Sequence, residues 1–167
     1  VTFVRDHSLS VRENILRYVS ESFSDVRAGE DGYTTTWGQK IIRRPFVVDD
    51  LGRALDVLEI VDSREERRPE VNKSTDKMLL VNLTFYHKIV PNEKSNSSSV
   101  LNRILVDVQR RMHAISSEQF GGLAITADEV GSEFDVDGSG DSIVNGISVW
   151  SIHYRHLAAD PRRLKGE

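Results

Sequence analysis

Apolar residues fall at helical spacing in two stretches of the chain and at strand spacing in several others. In the first helical stretch Val11, Ile15, Tyr18, Val19, Phe23 and Val26 form one stripe. Ser10-Val11-Arg12-Glu13 stands before it as a capping box: the Ser hydroxyl can take the amide of Glu13 while that Glu reaches back. The pattern predicts a helix over about 10–26, closed by the polar turn Ala28-Gly29-Glu30-Asp31-Gly32. In the second, Leu101, Ile104, Leu105, Val108, Met112 and Ile115 predict a helix over about 98–115. The spacing assigns Arg103, Asp107, Arg110 and Arg111 to its other face.

Between and after these helices the period shortens to two. Tyr33–Trp37 (YTTTW) is β-branched and aromatic, and Pro45 restricts any strand around Ile41-Ile42 and Phe46-Val47-Val48 to an edge or a break. Ala54–Val61 predicts a strand that is apolar on both faces. Over Lys77–Lys88, Leu79, Val81, Leu83 and Phe85 share one face, with Asn82, Thr84 and Tyr86 opposite. Leu123–Phe134 and Ile143–His156 predict a closing pair of strands. Two amphipathic helices bury their stripes most simply on one face of a sheet. The expected architecture is therefore α+β: an antiparallel sheet of about four to five strands, two helices on one face, and a projecting charged arm. One domain is expected over 1–167, with an ordered core over about 8–156, an arm or loop over 62–76 and a polar, frayed tail over 157–167.

Composition narrows the classes. A length of 167 residues suits one buried core, and 29% charged against 38% hydrophobic residues is a balance typical of soluble proteins. The formal charge of −4 argues against a whole-surface grip on nucleic acid, which needs many Lys and Arg on phosphates. The absence of cysteine removes disulfides, thiolate nucleophiles and Cys-based zinc sites. No apolar run approaches the roughly 20 residues of a membrane span, and VTFVRDHSLS lacks a secretory h-region, so no membrane association is expected.

One stretch invites a metal reading. In FDVDGSGDSIVNG (134–146), Asp135, Asp137, Ser139, Gly140 and Asp141 occupy the first, third, fifth, sixth and seventh places of a calcium loop. The twelfth place, which needs a bidentate acid, is Gly146, and both flanks read as strands rather than helices. The loop is rejected as a calcium site and taken as an acidic hairpin tip, facing solvent, a partner or an opening. His153 and His156 are three apart on a strand and point to opposite faces, a poor arrangement for one ion. No hydrolase or nucleotide-binding signature occurs, so no catalytic residue, metal or cofactor is assigned.

The arm Asp62–Asp76 alternates charge through Arg64, Glu65, Glu66, Arg67, Arg68 and Glu70. Such a run is most simply a solvated loop; at a subunit rim it would set register. Trp37 and Phe46 are candidate aromatic anchors of a large interface, as is Trp150, for which core burial competes.

The order of these segments resembles the tail-terminator family of tailed bacteriophages (tail-completion, minor tail protein U-like). The resemblance covers roughly residues 8–156. It is carried by VRENILRYVSESF, by ALDVLEIVDSREE with KMLLVNLTFYHK, by SVLNRILVDVQRRM and by the closing ISVWSIHYRH. It implies a non-enzymatic virion protein at the neck or top of the tail, assembled in the host cytoplasm. As a homo-hexameric ring it would cap the tail tube, end its growth and meet the head-completion or connector protein. A ring closes by heterologous contacts, for which strand edges are natural patches. Six copies at −4 sum to −24, which would keep double-stranded DNA from sticking as it passes. On this reading Asp135, Asp137 and Asp141 would face the lumen or a partner. Two alternatives remain open at this stage: a head-completion or neck adaptor ring, and a small α+β enzyme or ligand-binding domain.

Overall fold

Helix α1 (Val11–Ser24) starts where the capping signal places it. Ser10 is the N-cap, and its hydroxyl accepts the Glu13 amide at 3.1 Å. The Glu13 carboxylate accepts hydrogen bonds from Arg43, so it ties the helix to the following segment. The computed structural model describes residues 3–38, 40–67, 74–93, 96–135 and 142–164. In chain order the further elements are β1 (Ile41–Ile42), β2 (Asp56–Arg67), β3 (Ser74–Lys88), α2 (Ser97–Ser117), a short turn α3 (Gln119–Gly122), β4 (Thr126–Asp135) and β5 (Ile143–Leu157).

The fold is α+β, with a five-stranded sheet in the order β1-β2-β3-β5-β4 and the helices packed on it. The expected antiparallel sheet is mixed: β1 runs parallel to β2, because the residues joining them form an irregular crossover rather than a hairpin. All other pairings are antiparallel. Period-two alternation gives the sheet a buried face, where Leu79, Val81, Leu83 and Phe85 meet Trp150 and Ile152 beneath α2. Met112 and Ile115 of α2, and Ile15, Val19 and Phe23 of α1, complete that core. Gly146 lies where an added Cβ would come within 2.5 Å of Phe85 and 2.8 Å of Phe134, so only glycine lets these rings close over β5.

Four segments depart from expectation. YTTTW forms no strand: Asp107 of α2, expected on the polar face, is buried and fastens that segment to the helix. The supposed 62–76 arm is largely strand. Arg64–Arg67 pair with Lys77–Leu80, and Ser74–Asp76 pair with Arg155–Leu157, because both neighbours continue past the predicted strand ends. Residues 68–73 lie outside the described residues. The tail is not frayed up to 164: Pro161 accepts the Val11 amide, Arg163 accepts the Leu157 amide, and Leu164 packs on the core. Finally, residues 119–122 form a left-handed turn, with φ of 51°, 53°, 65° and 87°. This costs energy at Gln119 and Phe120, and full burial of the Phe120 ring offsets it.

Candidate functional site: the open sheet face and its edges

The helices cover only one face of the sheet. On the other, Val61, Met78, Leu80, Ile147 and Val149 are half-buried by their own neighbours, with no layer over them among the described residues. The two edges of the sheet differ in charged residues. β4 exposes Asp128, Glu133 and Asp135, with no base in its ten residues. None of these carboxylates pairs with a cation among the described residues. At its bulge, β4 also exposes Val130 (63%), beside a shallow groove of about 350 Å³ formed with Ile147 and Val149. The opposite edge is β1 and, beyond its short span, the free end of β2. It presents Arg43, Arg44, Arg64 and Arg67 together with the exposed Glu66; Arg43 pairs with Glu13, Arg44 with Asp50 and Arg64 with Glu66.

The proposed interface residues distribute unevenly over this surface. Trp37, expected as an exposed anchor, lies in the core at 1% exposure, and its indole N–H finds no acceptor among the described residues. The pull of its large apolar surface outweighs any role as an exposed anchor. Trp150 is likewise buried, donating to Ser148 Oγ at 2.8 Å, with the His113 ring edge-on at 5.2 Å. Phe46 is half-buried on the open face, stacked on Tyr86 at 3.7 Å, while its amide donates to Glu59. Arg64 (69% exposed side chain) pairs with Glu66 at 3.0 Å. Glu65 instead turns to the helix face. There Tyr154 donates to it, Lys77 lies at 3.5 Å and Arg12 at 3.7 Å. Burial first, then that bond to Glu65, pushes the Tyr154 hydroxyl far above its ordinary pKa. Arg67 is exposed, and Arg68 lies outside the described residues. Asp135 ends β4 in an exposed position; Asp137, Ser139 and Asp141 lie outside the described residues. Among the described residues no group of three His, Asp or Glu side chains is placed so that it could hold a metal ion, and no described helix is long and apolar enough to cross a membrane.

Sequence reasoning missed a buried ionic strut. His87 is 3% exposed, and its ring nitrogens lie 2.7 Å from Asp56 and 2.9 Å from Glu93. Burial opposes charging the ring, but the two carboxylates together outweigh it and raise its pKa above 6.5. Burial raises the Glu93 carboxyl, while His87 and the Val90 amide hold it lower overall. With both nitrogens engaged, the imidazolium is a clamp, holding the turn before α2 to the start of β2. It is neither a free base nor an open ligand. The alternation that buries Leu83 and Phe85 also places His87 inward, a signal available in the sequence.

Another groove, about 460 Å³, is lined by Val48, Leu51, Lys88 and Ile143 at the end of the sheet. Among the described residues Asp49 and Lys88 are its charged lining, which gathers no catalytic constellation there. The chain matches no protein-family model and no curated protein sequence.

Proposed function

We propose that this chain is a structural virion protein, a tail terminator that forms a ring on the phage tail tube and joins it to the head connector. The observation that carries the reading is a sheet covered on one face only, with a half-apolar open face and two edges of opposite character. A subunit that must contact neighbours on two different patches needs such a surface. The segments that carry the resemblance form α1, β2, β3, α2 and β5. On this reading the protein is not an enzyme, needs no cofactor, and its partners are its own copies, the tube protein and the connector protein. Double-stranded DNA passes through the ring without being held.

Native mass spectrometry with electron microscopy of the purified protein, alone and mixed with tail tubes, tests this. The expected result is a six-fold ring seated on tube ends. Rings that bind the head connector but ignore tubes would assign the protein to the neck instead. A chain that stays monomeric and leaves tube ends bare would overturn the proposal.

A further inference from the structure

We infer that the β4 edge of one copy docks antiparallel along the β1/β2 edge of the next, with Asp128 against Arg64. This rests on the assembly reading above and names the surfaces it would use. Strands β2, β3, β5 and β4 alternate in direction across the sheet. A second copy placed beside the first, helices on the same side, therefore brings its β2 antiparallel to β4, the favoured pairing. Charge selects the partner. Two β4 edges facing each other would oppose carboxylate to carboxylate, whereas the far edge offers Arg64, whose side chain is 69% exposed beside Glu66 of its own strand.

Charge also selects the register. Arg64, Leu80, Ser151 and Asp128 lie on one row across the sheet. On the open face β2 reads Glu59, Val61, Arg64, Glu66, so a slip of one pair would set Asp128 against Glu66 or Val61. Further along, Glu133 shares a row with Ile42 of β1. Ser116 Oγ already accepts the Ala127 amide, so the contact at that position is made by side chains. Val130, at the bulge of this outer strand, is exposed in the single chain.

The cysteine-free chain makes the test clean. Within one copy the Cα atoms of residues 64 and 128 are three strand spacings apart, roughly 14 Å, well beyond the roughly 4.4–6.8 Å of a disulfide. Asp128→Cys combined with Arg64→Cys, oxidised, is expected to give a ladder of covalent oligomers on denaturing gels. Asp135→Cys with Arg64→Cys, far off the row, is expected to give none. Asp128→Arg alone is expected to weaken self-association by tenfold or more, on the order set by like-charge contact. Mixing it with Arg64→Asp chains is expected to restore the contact. If the unmodified chain forms rings but the in-row pair gives no ladder, this contact is overturned while the assembly reading stands. If the unmodified chain never self-associates, with or without tubes, both fall.

Discussion

Replacing Asp107 with Ala should be among the most damaging single changes in the chain, although the residue is an acid on a surface-type helix. Its carboxylate is 2% exposed, and one oxygen accepts the Thr34 amide at 2.9 Å, the Thr34 hydroxyl at 2.7 Å and the Thr35 amide at 2.8 Å. A hydrogen bond to a charged group contributes about 1.5–3 kcal/mol, and an orphaned buried donor costs about 1–3 kcal/mol. Three bonds to a single oxygen are not additive, so a total of about 3 kcal/mol is the reasonable expectation. At about 2–4 °C per kcal/mol for a chain of this size, the melting temperature should fall by about 6–12 °C. Urea titration should show a lower midpoint at unchanged slope, since the same surface is exposed on unfolding. Asp107→Asn keeps an acceptor oxygen and should cost less than half as much. In a double-mutant cycle, Thr34→Val should lose most of its own cost once Asp107 is gone. A melting temperature of Asp107→Ala within about 1 °C of the parent would refute the claim that this carboxylate holds Tyr33–Trp37 to α2.

The His87 clamp predicts a pH dependence. Because its folded pKa is raised, its contribution is fully present below the unfolded value near 6.5 and is lost as pH rises through the folded value. Urea stability from pH 5 to 9 should therefore decline on the alkaline side, and His87→Gln should flatten that decline; an unchanged profile would count against the clamp. Gly146→Ala should cost about 1–3 kcal/mol by overpacking Phe85 and Phe134, seen as a lower urea midpoint. Ser10→Ala should cost about 1 kcal/mol through loss of the α1 cap, readable by thermal melting, with Ser10→Asp close to the parent.

Much of the fold was legible because its signals are local. The stripe from Leu101 to Ile115 gave α2 to within two residues at either end, and Leu79 to Phe85 gave the buried face of β3. Ser10 marked the start of α1, and the strand spacing of His153 and His156 correctly put them on opposite faces. In the sequence Gly146 shows only as the twelfth place of a calcium loop, where a bidentate acid is lacking. Its physical role, making room for two phenyl rings, depends on strands that are distant along the chain.

What tertiary structure decided was the fate of polar groups and the pairing of strands. Composition shows that Asp107 is an acid at a helical position, but burial becomes tolerable only once Thr34 and Thr35 supply donors from 73 and 72 residues away. The sign-alternating run after Asp62 looks solvated by itself. It becomes strand because β3 lies beside it, and Glu65 turns inward because Tyr154 waits there. The acidic stretch around Asp135 likewise acquires meaning only from sheet order, which makes β4 an outer strand with three carboxylates that pair with no cation among the described residues. Sequence alone set the periods, the caps and the sign of each charge, because these depend on neighbours within a few residues. Which charges are buried, paired or left facing outward depends on contacts between distant segments, and only the assembled sheet supplies those.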